Sequence, residues 1–158
     1  MIKMIVMDVD GTLTDGKIYI GNRGECMKAF CAHDAVGVRM LKNYNIIPVI
    51  ITGRESNIVS IRAREMNIDK VFVFQNIINK KDKLCEIIRD SKLKSSEVAY
   101  IGDDINDLEC IDICGFSACP CNAVKVIRDK CDYISEFASG EGAVRDVIEY
   151  IINNLSSL

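Results

Sequence analysis

Met4-Ile5-Val6-Met7-Asp8-Val9-Asp10-Gly11-Thr12-Leu13-Thr14 is the stretch on which the reading of this chain turns. Four apolar residues in a row, closed by Asp and Gly, are the pattern of a strand buried on both faces in a parallel sheet. If extended geometry persists beyond Met7, Asp8 and Asp10 project to one side and Val9 to the other. Two carboxylates at one strand end can then share one substrate.

Moving outward, comparable runs recur at Ile46–Ile51, Lys70–Val73, Val98–Ile101 and Gly115–Ala118, each closed by Asp, Gly, Thr or Pro. Between them, apolar residues spaced three and four apart predict helices over Ala35–Asn43, Ser56–Glu65, Lys80–Asp90, Ile105–Ile111 and Gly142–Leu155. Alternation of this kind predicts an α/β fold, a Rossmann-like parallel sheet covered by helices. One segment departs from the rhythm. Lys17–Phe30, with Asn22-Arg23-Gly24 at its centre, reads as a β-hairpin inserted after the first strand, placed to overhang that strand's C-terminal end. With 158 residues, two prolines and no linker or repeat, a single domain over residues 1–158 is expected.

Composition narrows the function. No apolar run approaches the ~20 residues a spanning helix needs, and the N-terminus lacks the pattern of a signal peptide, so no membrane association and a cytoplasmic location are expected. The eight cysteines are accordingly read as reduced, and Cys114, Cys119, Cys121 and Cys131, which lack zinc-knuckle spacing, as small core fillers. A net charge of −3 without a basic patch gives no nucleic-acid footprint. His33 reads as a loop residue and Asp34 as the cap of the helix that follows.

In an open α/β sheet the ligand site lies beyond the carboxyl ends of the strands. Those ends carry Asp8 and Asp10, then Thr52-Gly53-Arg54, then Gly102-Asp103-Asp104-Ile105-Asn106-Asp107, with Lys80 opening the helix after the third strand. Taken singly, each is an ordinary cap or turn. Together they gather acids, a hydroxyl and an ammonium at one rim. Closely spaced carboxylates are costly unless a cation joins them, and hard oxygen ligands of this kind select Mg²⁺, which keeps waters for phosphate oxygens. A phosphate monoester is the substrate class that follows. Asp8 is expected to act as nucleophile and Asp10 to protonate the leaving oxygen and later deprotonate the attacking water, while Lys80, Thr52 and Mg²⁺ offset charge on the phosphoryl group.

The segment Asp8-Val9-Asp10-Gly11-Thr12-Leu13-Thr14 resembles the first motif of the haloacid dehalogenase superfamily, with Thr52, Lys80 and Gly102-Asp103-Asp104-Ile105-Asn106-Asp107 resembling the next three. The resemblance implies metal ligation by Asp8 and Asp103, by the Asp10 backbone carbonyl, and support from Asp104 and Asp107. Within the superfamily, the absence of a cap domain, the early hairpin and the tail Ser139-Gly140-Glu141-Gly142-Ala143-Val144-Arg145 are similar to the 3-deoxy-D-manno-octulosonate 8-phosphate phosphatases, whose relatives act on nine-carbon keto sugar acid phosphates. That similarity implies a phosphorylated sugar acid substrate contacted by Thr52, Gly53, Arg54, Arg62 and Arg145. It also implies a homotetramer in which a neighbouring subunit closes each site. Arg54 resembles the eight-carbon type. Asn76, where a glycine is common, and Ser139-Gly140, in place of a glycine pair, depart from the pattern and put loop geometry in question.

Two other classes compete. A receiver-like signalling domain would place its phosphorylated Asp after the third strand, where this chain has Phe72-Val73-Phe74-Gln75, and its Lys last. An inert phosphatase-like assembly module would have lost members of the set Asp8, Asp10, Lys80 and Asp103, and all four are present.

Overall fold

The computed structural model of the chain describes residues 1–155. Six parallel strands form one sheet in the order β5-β4-β1-β6-β7-β8: β1 (Met4–Met7), β4 (Ile47–Ile51), β5 (Val73–Phe74), β6 (Val98–Ile101), β7 (Phe116–Cys119) and β8 (Tyr133–Ile134). β1 lies at the centre, with Met4 to Met7 paired on one side to Ile47 to Ile50 and on the other to Val98 to Ile101. The chain first winds outward through β4 and β5, then crosses back to β6, so the order reverses beside β1 and a crevice opens at its carboxyl end.

Strand alternation divides the core in two. Ile5 and Met7 pack with Val38 of α1 (Ala32–Met40), Val59 of α2 (Asn57–Glu65) and Val144, Val147, Ile148 and Ile151 of α6 (Ala143–Asn153). Met4 and Val6 pack on the opposite face, with Leu84, Ile87 and Ile88 of α3 (Lys80–Asp90), Cys110 and Ile111 of α4 (Leu108–Ile113) and Ile127 of α5 (Lys125–Arg128). α6 shows why such a segment is helical: its fully buried residues recur at three- and four-residue steps along one stripe. Val9 joins the α1/α6 cluster, whereas Asp8 continues the Met4/Val6 side and meets the first residue of α3, Lys80. The parity of β1 thus decides which helix the acid faces.

The hairpin β2 (Tyr19–Gly21) and β3 (Gly24–Met27) forms a separate antiparallel pair, anchored at its base by a Thr14–Phe30 bridge. Among the described residues no further layer stands over the strand ends, so there is no cap.

Several boundaries differ from the expectation. The strand expected at Lys70–Val73 is a 3-10 turn over Lys70–Phe72, because the Asp69 carboxylate accepts the Val71 N–H at 3.1 Å and bends the chain before Val73 and Phe74 pair with β4. β7 begins at Phe116 because the Gly115 N–H turns to the Ser95 and Val98 carbonyls. The helix expected from Ile105 opens as a 3-10 turn, capped by Asp104, before α4. α5 and β8, of four and two residues, are too short to show a period and were not anticipated. Asn76 adopts φ +57°, the left-handed conformation that a glycine would take, so the departure there leaves the loop turn in place.

His33 and Asp34 lie inside α1, whose N-cap is Cys31, so Asp34 does not cap its own helix. Its Oδ1 instead accepts the Arg145 N–H at 2.8 Å in the first turn of α6, while Oδ2 is buried without a partner. Burial pushes this carboxyl up to about 6. Because the folded value lies above the unfolded 3.8, the charged form is disfavoured in the fold, and stability falls as pH rises between those values. We expect a loss of about 3 kcal/mol across that window, measured by urea unfolding, and a flatter profile in Asp34→Asn, which keeps the acceptor without the charge.

Candidate active site

β1 ends at Met7, and the N–H groups of Thr12, Leu13 and Thr14 converge on the Val9 carbonyl, so a turn rather than continued extension presents Asp8 and Asp10 to the same space. Gly11 makes that turn at φ +93°, and a Cβ there would stand 2.1 Å from Asp103 Oδ2. Only glycine allows the first and fourth strand-end segments to approach this closely. The cavity between them, of about 300 Å³, is lined by Asp8, Asp10, Thr52, Gly53, Arg54, Asp103 and Asp104 together with Gly11, Gly16 and Asn106.

Beneath it lies a buried charge network. Lys80 Nζ, at the start of α3 where Asn79 caps the helix, is 2.8 Å from Asp8 Oδ1 and 2.7 Å from Asp107 Oδ1. The Tyr100 hydroxyl donates to Asp107 Oδ1 at 2.8 Å, and the N–H groups of Asp103 and Asp104 donate to Asp107 Oδ2 at 3.1 and 3.3 Å. Asp107 therefore holds Lys80 in place and closes the loop that presents Asp103. Thr12 Oγ1 donates to Asp103 Oδ1 at 3.2 Å.

Carboxylate oxygens of Asp8, Asp103 and Asp107 all lie within 4.8 Å of one another. One ammonium is not enough for three acids. Burial and then the Asp107 charge push Asp8 up to about 8 despite Lys80, and the same two causes push Asp103 up to about 7. Burial alone would lower Lys80, but the charges of Asp8 and Asp107 outweigh it and raise its pKa. With four donors already on Asp107, the oxygens that remain for a cation belong to Asp8 and Asp103. An all-oxygen set short of positive charge suits a hard divalent ion such as Mg²⁺.

Two expected substrate contacts lie elsewhere in the chain. Arg62 donates to the Cys31 carbonyl at 2.8 Å, pairs with Glu65 at 3.0 Å and covers the Phe30 ring. Arg145 pairs with Glu149 at 2.5 Å. Neither lines the Asp8 cavity. The structure adds residues that the strand-end reading missed: Tyr100, Thr12, and the hairpin pair Glu25 and Lys28. Only Thr12 stood within a recognised motif. The others become legible only once distant segments are brought together.

Comparison with known proteins agrees with this geometry. The family model for haloacid dehalogenase-like hydrolases matches residues 55–148. The 3-deoxy-D-manno-octulosonate 8-phosphate phosphatase KdsC of Salmonella typhi is 35% identical over 151 residues, which span 96% of this chain and 79% of that protein. Among solved structures, the Moraxella catarrhalis 3-deoxy-D-manno-octulosonate 8-phosphate phosphatase, in complex with magnesium ion, phosphate ion and KDO, is 38% identical with a TM-score of 0.91, covering 99% of this chain and 90% of that one. The cobalt-bound phosphatase of Haemophilus influenzae, 29% identical, has a TM-score of 0.93 over 98% of this chain and 90% of that one. With its sheet order, its strand-end acids and these similarities in agreement, the chain belongs to the haloacid dehalogenase-like hydrolases, in the family of the 3-deoxy-D-manno-octulosonate 8-phosphate phosphatases.

Proposed function

We propose that this protein is a Mg²⁺-dependent phosphatase that hydrolyses 3-deoxy-D-manno-octulosonate 8-phosphate through a phosphoryl group carried on Asp8. The observation that carries the chemistry is the buried Asp8 carboxylate facing the cavity with Lys80 behind it and Asp103 beside it. Similarity to the phosphatase solved with magnesium, phosphate and KDO supports the ion and the sugar.

Asp8 attacks phosphorus in line with the sugar oxygen; the P–O bond to the sugar breaks and Asp10 delivers a proton to the departing alkoxide. Asp10, now ionised, takes a proton from water, whose oxygen attacks the phosphorus of the acyl phosphate and returns the Asp8 carboxylate with inorganic phosphate. Lys80 holds the Asp8 carboxylate oriented toward the cavity, and Thr52 and the amides beside it bind phosphoryl oxygens. The residues that would hold Mg²⁺ are Asp8, Asp103 and the Asp10 carbonyl, with Asp104 and Asp107 supporting them. Bound there, the ion supplies positive charge against the phosphoryl oxygens. Arg54, half exposed at the rim, takes the sugar acid carboxylate.

The same reading makes residues 1–158 one catalytic domain acting in the cytoplasm. It also makes the protein a homotetramer, supported by the apolar Ile18, Ile20 and Met27 exposed along the hairpin. Arg62 and Arg145, away from their own cavity, would then serve a neighbouring subunit. Among the described residues no helix is long and apolar enough to cross a membrane.

The test is phosphate release from eight-carbon and nine-carbon keto sugar acid phosphates side by side. A kcat/KM at least about tenfold higher on the eight-carbon substrate is expected, with activity abolished by EDTA and restored by Mg²⁺. Equal rates would sink the eight-carbon assignment, and activity persisting in EDTA would sink the metal.

A further inference from the structure

The proton transfers assigned above to Asp10 require its carboxyl to be held at the leaving oxygen, yet Asp10 lies in a turn beyond β1 with no backbone ladder to fix it. Two cations approach it. Arg54 Nε is 3.7 Å from Oδ2 on a side chain that is 49% exposed, a loose and solvated contact. Lys28 Nζ is 2.5 Å from Oδ1 on a side chain that is 2% exposed. An ammonium shielded from water and donating to Oδ1 is a strong constraint in both half-reactions, because Oδ1 accepts whether or not the other oxygen carries the proton.

Lys28 comes from the hairpin, directly after β3, and it has a second partner. Glu25 Oε1 is 2.9 Å away, and Glu25 Oε2 accepts the Ser56 hydroxyl. Ser56 is the N-cap of α2, and it closes the loop that brings Thr52, Gly53 and Arg54 to the cavity. Its N–H is fixed in turn by Gln75 Oε1 at 2.7 Å. Asp10, Lys28, Glu25 and Ser56 thus form one chain of contacts from the end of β1, through the hairpin, to the start of α2. Lys28 does not line the cavity itself, and its ammonium is already committed to two carboxylates. It is therefore placed to act through Asp10 rather than on a ligand.

We propose that Lys28 is a positioning residue for Asp10: it sets the Asp10 carboxyl at the reacting oxygen and, through Glu25 and Ser56, makes that placement depend on the hairpin being seated over the site. The proposal rests on the acid and base role given to Asp10 above. It predicts that loosening the hairpin and misplacing Asp10 have the same kinetic signature.

p-Nitrophenyl phosphate separates the half-reactions, because p-nitrophenolate leaves without needing a proton while hydrolysis of the phosphorylated Asp8 still needs a base. In rapid mixing with Mg²⁺, Lys28→Met is expected to release about one p-nitrophenolate per active site in a burst, then to turn over about 100-fold more slowly than wild type, with KM lowered in step so that kcat/KM, which reports phosphorylation of Asp8, stays within about threefold. Lys28→Arg, which restores a cation, is expected to recover the steady rate to within about tenfold of wild type. Should the two carboxylates left by Lys28→Met prevent folding, Glu25→Gln/Lys28→Met removes one of them and carries the same expectation. Loss of burst and steady rate together in a folded variant, or a steady rate within about threefold of wild type, would overturn the proposal. A burst surviving in Asp8→Asn would instead overturn the nucleophile assignment, and the Lys28 proposal with it.

Discussion

Turnover falls by at least about 10⁴-fold in Asp8→Asn, the expected result of removing a nucleophile whose partners otherwise stay in place. Asparagine is nearly the same size, so the cavity and the Asp8 N–H bond to the Ile101 carbonyl, 3.0 Å long, are retained. What changes is charge. Burial and the neighbouring Asp107 push the Asp8 carboxyl up to about 8, so below that value the fold resists its ionisation, whereas an amide carries no such penalty. Without Mg²⁺, Asp8→Asn is therefore expected to melt no lower than wild type near neutral pH. Lys80 still keeps Asp107 at 2.7 Å. A variant that is dead and folded separates chemistry from stability. Calorimetry beside a phosphate-release assay reads both.

Lys80→Met behaves in the opposite way, losing stability as well as activity. The Lys80 side chain is 1% exposed and is shared between Asp8 and Asp107, whose own side chains are 7% and 0% exposed. Removing the ammonium leaves the fully buried Asp107 carboxylate without its cation, beside Asp8 and Asp103, which burial already holds back from ionising. Breaking such a pair by deleting one partner costs about 3–5 kcal/mol. The methionine stem fills most of the space the lysine occupied, so lost packing contributes little to the difference. Urea unfolding without Mg²⁺ is expected to show that loss in full, and a smaller loss in Lys80→Met/Asp107→Asn, where the stranded Asp107 charge is gone. Turnover in Lys80→Met is expected to fall by about 10²-fold or more, since Asp8 is no longer held toward the cavity.

How far these features can be read from residue order depends on whether their causes are local. β1 and α3 form over the residues expected for them. β1 is a continuous apolar run, and α3 combines a strong apolar stripe with an Asn79 cap whose Oδ1 accepts the Asp82 N–H. β5 is shorter than expected because one carboxylate, Asp69, diverts the backbone, a competition that apolar spacing does not register. Asp34 looked like the cap of its own helix but serves the start of another, 111 residues away, and no local pattern encodes that choice. The strand-end acids, Thr52 and Arg54 come together because a parallel sheet brings all its carboxyl ends to one rim. Lys28 was not anticipated for the converse reason. It reaches Asp10 only because the hairpin folds back over the β1 end, and in sequence it is one lysine among many.

The central claim is that the phosphoryl group passes through Asp8, and the most direct measurement is to stop turnover in acid and weigh the peptides. Wild-type enzyme mixed with substrate and Mg²⁺, quenched before completion and digested, is predicted to give the peptide containing Asp8 heavier by one phosphoryl group, and Asp8→Asn to give none. A phosphoryl group on any other side chain, or one that still accumulates in Asp8→Asn, would contradict the account.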